Sequence, residues 1–192
     1  RMADVAYMME NYTAMSEVCD KALHLDTSNL QTYLYYAKAC RGLGDPIRAV
    51  AVLSLAIKLR EDYYAARLLR GTILLENHIL DDAAQDADYL FTHLEPNEDV
   101  LLLKARVLKA QEKMKEAEQV YGMVIEVNPF SLDAYRERFE VRTILGDAAG
   151  AAEDEASIKE MGAEVPEPSE GIEQKIKEKM QQMDPYKVFH NE

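Results

Sequence analysis

The chain of 192 residues has no tryptophan, two cysteines, six prolines and eight glycines, and its 35 acidic side chains outnumber its 22 basic ones. Each shortage removes a class of protein. A net charge of −13 repels phosphate backbones and anionic lipid surfaces, so no nucleic acid is expected as a partner. No apolar run approaches the ~18 residues of a membrane span, and no charged-then-apolar leader opens the chain. Neither membrane insertion nor a signal peptide is expected, and the location reads as cytoplasmic. The chain opens at Arg1 without an initiator methionine, which leaves room for an upstream leader or domain.

Cys19 and Cys40 each fall in an apolar helical column, where a thiol acts as a small hydrophobe, and both are expected to be buried and reduced. His24, His78, His93 and His190 are scattered, without His-x-x-x-His or Cys-x-x-Cys spacing, so no metal is expected. The glycines are dispersed, mainly at helix ends, instead of gathered into a phosphate loop, and no cofactor is assigned. Carboxylate pairs such as Asp86 and Asp88 are expected on a solvated face, and no catalytic residue is named. Asp81 and Asp82 are placed at a helix start, opposing the positive end of its dipole.

What the chain has in abundance is repetition. Alanines 49, 83, 117 and 151 recur every 34 residues, and Ala37, Gly71 and Ala105 form a second column at the same step. Cys40, Leu74 and Leu108 follow, as do Ala22, Ala56, Leu90, Val124 and Ile158. Small residues suit the close approach of two helices, and larger apolar ones fill the adjoining core. The composition is rich in Ala, Leu, Glu, Asp and Lys, so helices are expected and strands are not. The predicted helix pairs cover 30–43 and 47–59, 64–76 and 81–93, 98–110 and 115–127, then 132–145 and 148–161. Before them, a truncated first repeat is read as the end of one helix over 1–9 and a second over 13–25. Gly44-Asp45-Pro46 and Gly146-Asp147 mark turns three periods apart.

These columns resemble the tetratricopeptide repeat family over residues 1–163. Consensus tryptophans are replaced by Tyr33, Arg67, Leu101 and Tyr135, and the proline that closes a repeat appears in place only at Pro129, with Pro96 offset by one. The resemblance implies an all-α solenoid of about five helix-turn-helix repeats, a right-handed superhelix whose first helices line a concave groove. After the array come a Pro/Glu-rich spacer over 164–171, an amphipathic capping helix over 172–183 carrying Ile172, Ile176, Met180 and Met183, and a tail over 184–192.

Residues three or four apart share a helix face, which groups Leu34, Lys38 and Arg41, then Leu68, Thr72 and Leu75, then Leu102, Arg106 and Lys109 as groove candidates. The leucines form a ladder at the repeat step, and the cations form two basic patches on an acidic chain, which suits an acidic peptide. A second basic column of Arg70, Lys104 and Arg138 is expected to pair with acids of the second helices. The carboxylate clamp that some family members use on chaperone tails is not matched: leucines stand where it needs lysine, and Lys38 where it needs asparagine. The function expected is a non-enzymatic scaffold that binds a partner peptide or helix. The alternative is a structural or regulatory arm of a larger protein that mediates self-association.

Overall fold

The computed structural model describes the backbone of residues 2–166 and the side chains from Asn11 to Pro166. The spacer beyond Pro166, the capping helix and the tail lie outside the described residues. Every regular element among those described is an α-helix, and the chain divides after Glu95 into two compact units. The first contains α1 (Met2–Leu25), α2 (Leu30–Gly42), α3 (Pro46–Leu59), α4 (Tyr64–Glu76) and α5 (Leu80–His93). The second contains α6 (Glu98–Ala110), α7 (Met114–Val127), α8 (Leu132–Leu145) and α9 (Ala148–Glu160). Within each unit every helix packs on its successor, and α2 also meets α4. Each unit is thus a run of stacked helical hairpins, the solenoid arrangement in which a repeat covers its apolar face with its neighbour.

The columns read from the sequence are the packing positions. Ala37, Ala49, Ala56, Ala83 and Leu90 have no exposed surface in the first unit, nor do Ala105, Ala117, Val124 and Ile158 in the second. Cys19 and Cys40 are free and buried, and burial pushes both thiols above their usual range.

One turn column explains the hairpins. Gly44, His78, Glu112 and Gly146 are 34 residues apart and all adopt left-handed backbone, with φ of 74°, 58°, 62° and 78°. In each case the next amide donates back to a carbonyl five residues earlier at 2.9 Å, from Asp45 to Cys40, Ile79 to Leu74, Lys113 to Leu108 and Asp147 to Arg142. That bond closes the helix end. Asp45 and Asp147 then cap the next helix through the Arg48 and Gly150 amides, both at 3.0 Å. The intervening hairpins keep the geometry without glycine. A side chain in left-handed backbone costs about 1–2 kcal/mol, part of which glycine returns as unfolded-chain entropy. His78→Gly is therefore expected to raise the urea midpoint by an equivalent of roughly 0.5–1 kcal/mol.

The first repeat departs from expectation. Residues 1–9 and 13–25 were expected to be separate helices, yet Met2–Leu25 is one continuous helix. One period before Gly44-Asp45-Pro46 stand Glu10, Asn11 and Tyr12, which offer neither a glycine to reverse the chain nor a proline to restart it. The consequence is visible at Val18. It is 65% exposed, whereas Val52, Asp86, Val120 and Asp154 in the same column are 8% exposed or less.

Candidate functional site

In the first unit, α2 and α4 lie side by side and bring six of the proposed groove residues onto adjacent helices. Leu34 is buried, Lys38 is exposed, and Leu68, Thr72 and Leu75 are half-buried. The Thr72 hydroxyl is turned inward, donating to the Leu68 carbonyl at 2.8 Å. Arg41 is not an isolated cation: Nε donates to Glu76 Oε2 at 3.0 Å, and Nη2 donates to the other oxygen of the same carboxylate.

In the second unit, Leu102 is buried, and Arg106 and Lys109 lie along α6 facing acids of α8. Arg106 Nε donates to Glu137 Oε1 at 2.7 Å and Nη2 donates to Asp133 Oδ2 at 3.0 Å. Lys109 Nζ donates to Glu140 Oε2 at 2.6 Å. Burial works against the Arg106 charge, but its bonds to Glu137 and Asp133 more than offset this and hold the guanidinium above its ordinary range. Beneath it, Tyr121 donates to Glu137 Oε2 at 2.6 Å. Burial, followed by the neighbouring Glu137 charge, pushes that phenol far up, so it remains a donor.

The spacing of Lys38, Arg41, Arg106 and Lys109 predicts two basic patches. Three of the four cations are matched by acids of the next first helix, so the patches are mixed-charge ladders. The acids Asp133, Glu137 and Glu140 were missed, although their spacing puts them on one face of α8. Glu137 and Glu140 also stand at one constant offset, 31 residues from Arg106 and Lys109.

The second basic column is placed differently. Arg70 forks onto both oxygens of Asp86 at 2.7 Å, and Arg67 reaches the same carboxylate at 3.4 Å while lying 3.7 Å over the Tyr89 ring. Arg138 binds Asp154 at 2.6 Å, with Arg142 3.2 Å away. Asp86 and Asp154 are 1% and 0% exposed. This corrects the expectation of a solvated face for Asp86: a guanidinium fork satisfies both oxygens, so the carboxylate can be buried. Its neighbour Asp88 is exposed. Lys104, half-buried in the same column, faces a repeat with Val120 where the others carry aspartate.

Asp81 and Asp82 do stand in the first turn of α5, acting on the dipole without a side-chain capping bond. Among the described residues, no cluster of His, Cys, Asp or Glu is arranged to hold a metal, and no helix is long and apolar enough to cross a membrane.

Comparison with solved structures decides the fold. YrrB, described as a tetratricopeptide repeat protein with an unusual peptide-binding site, superposes with a TM-score of 0.66 at 18% identity, over 76% of this chain and 75% of its own. A tetratricopeptide repeat protein from Parabacteroides merdae gives 0.65 at 20% identity, over 95% of this chain and 68% of its own. The fold is that of the tetratricopeptide repeat. MamA from Desulfovibrio magneticus RS-1 is similar as well, with a TM-score of 0.69 at 16% identity over 81% of this chain and 95% of its own. No family model and no curated protein sequence matches. Tetratricopeptide packing therefore persists here although the tryptophan positions hold Tyr33, Arg67, Leu101 and Tyr135.

Proposed function

We propose that this tetratricopeptide array is a binding module without chemistry of its own, which holds an extended or helical segment of a partner protein against its first helices. The observation that carries this reading is the α2/α4 face of the first unit. Half-buried Leu68, Thr72 and Leu75 lie on α4, beside the α2 helix that carries exposed Lys38 and the Arg41 paired with Glu76 of α4. A partly covered apolar strip with a charged rim suits a peptide whose apolar side chains rest on the strip while its polar groups stay wet. Both walls are helices already fixed by packing, so little ordering cost falls on this side of the complex. The peptide-binding site ascribed to YrrB supports the same use of the fold.

The internal ion pairs refine the partner's chemistry. Arg106 and Lys109 already face Asp133, Glu137 and Glu140, so a segment lying there meets alternating charge. An acidic group on the partner is drawn chiefly to Lys38, which makes no ion pair among the described residues.

The test pans the full chain against a displayed library of random peptides. Lys38→Glu with Thr72→Glu is expected to weaken the selected peptides at least tenfold, about 1.4 kcal/mol. Lys58→Glu, exposed on the second helix α3, should leave them unchanged. Peptides that bind the groove variant as well as the parent would sink the assignment.

A further inference from the structure

Helix α3 carries apolar residues on two sides. Ala49, Val52, Leu53, Ala56 and Ile57 are buried on the side that packs on α2 and α4. Away from the core, Ile47, Ala51, Leu55 and Leu59 stay exposed, Ile47 by 84% and each leucine by 55%. Residues four apart share a helix face, so these form one stripe, roughly 18 Å long. The unit's own packing does not use it. One period later the same positions hold Asp81, Gln85, Tyr89 and His93 on α5, and those of α7 begin with Lys115 and Gln119. The repeat therefore does not require apolar residues there. A helix apolar on opposite sides is ordinarily buried on both, and a contiguous exposed apolar patch marks an interaction surface.

We propose that this stripe seats an amphipathic helix of a partner protein, one whose apolar side is flanked by carboxylates, at a surface separate from the proposed groove. Charge selects the occupant. The only charged side chains of α3 are Arg48 and Lys58, in a chain of net charge −13. Arg48 Nε lies 3.2 Å from its own N-cap, Asp45, whereas Lys58 is exposed and makes no ion pair among the described residues. Carboxylates beside the partner's apolar side complement Lys58. The shape of the stripe suits a helix too. Ala51, the smallest of the four, stands between Ile47 and Leu55 and leaves a notch for a large side chain, as when ridges of four-residue spacing interdigitate. Ser54, next to Leu55, shares an open cavity of about 220 Å³ with Arg70, Asp82 and Gln85, which gives the apolar centre a polar rim.

Two other occupants fit less well. A second copy packed antiparallel about a two-fold axis matches Ile47 with Leu59 and Ala51 with Leu55, which sets Arg48 of each copy against Lys58 of the other. Like charges so placed oppose association. An anionic lipid surface attracts the two cations but repels Asp82 across the cavity.

The probe is a displayed library of helical peptides, apolar along one side, with flanking positions drawn from Glu, Gln and Lys. Panned on the full chain, it is expected to enrich Glu-flanked helices. A selected helix should lose at least tenfold in affinity on Ile47→Glu with Leu55→Glu, both exposed, while the melting temperature is retained. Ala51→Glu alone serves if the double variant melts early. On Lys58→Glu the selected helix should weaken, and its Lys-flanked version should recover. Lys38→Glu with Thr72→Glu should leave it unchanged, so this surface and the proposed groove fail separately; any random peptide lost on the α3 variants belongs to the stripe. No enrichment, equal binding of Glu- and Lys-flanked helices, or affinity that survives the α3 substitutions would overturn the proposal. A dimer mass of the parent that the same substitutions abolish would overturn it in favour of a second copy. Binding to phosphatidylserine vesicles, lost in those variants, would overturn it in favour of a lipid surface.

Discussion

Asp86→Ala is expected to destabilise the first unit by about 3–5 kcal/mol, whereas Asp88→Ala two residues away should cost under ~0.5 kcal/mol. The contrast follows from where the two carboxylates sit. Asp86 is 1% exposed and has both oxygens on the Arg70 fork, with Arg67 also in reach. Removing it leaves two guanidinium groups in a half-buried site, with Arg70 retaining only its 2.9 Å bond to Ser54 Oγ. Most of the loss is the cost of those unpaired charges, not the net worth of the pair, because ion-pair attraction only roughly repays desolvation. Arg70→Met combined with Asp86→Ala should therefore cost less than the sum of the single changes. Urea unfolding of the four chains, read as a double-mutant cycle, measures the coupling directly. Additive effects would mean that the pair is exposed in solution.

How much of this was legible beforehand depends on the distance over which each signal acts. The alanine column survives in sequence because close helix approach admits few alternatives, and its period is enough to place the hairpins. The turn column was half-legible: Gly44 and Gly146 announce left-handed backbone, but His78 and Glu112 adopt it only because the stacked helices on either side impose it. The buried aspartates could have been found by comparing columns. Positions 52, 86, 120 and 154 read Val, Asp, Val, Asp, while positions 36, 70, 104 and 138 read Tyr, Arg, Lys, Arg. An acid replaces valine only in the repeats whose first helix supplies arginine, which marks a buried pair and not a wet face. The acids beside the proposed groove were harder to see. Glu76, Glu137 and Glu140 meet cations 35 and 31 residues away, and those offsets depend on how one first helix slides along the next.

Tyr121→Ala should cost about 3–5 kcal/mol in the second unit, and Tyr121→Phe about 1.5–3 kcal/mol. Tyr121 is among the largest side chains with no exposed surface, so truncation to alanine opens a cavity that α7 and α8 can refill only in part. The phenylalanine variant keeps the ring and removes only the hydroxyl that donates to Glu137 Oε2 at 2.6 Å. Its cost reports a bond to a charged acceptor, which is worth more than a neutral one. The difference between the variants, read from urea midpoints with helicity as a control, separates cavity from hydrogen bond. The same pair connects core to surface. Glu137 holds Arg106 through its other oxygen at 2.7 Å, so losing the phenol frees the carboxylate to rotate and loosens the cation on the proposed groove face. Tyr121→Phe is thus expected to weaken a peptide held at Arg106 more than one held at Lys38, although Tyr121 itself is buried and touches neither peptide. Equal binding by both would confine Tyr121 to stability alone.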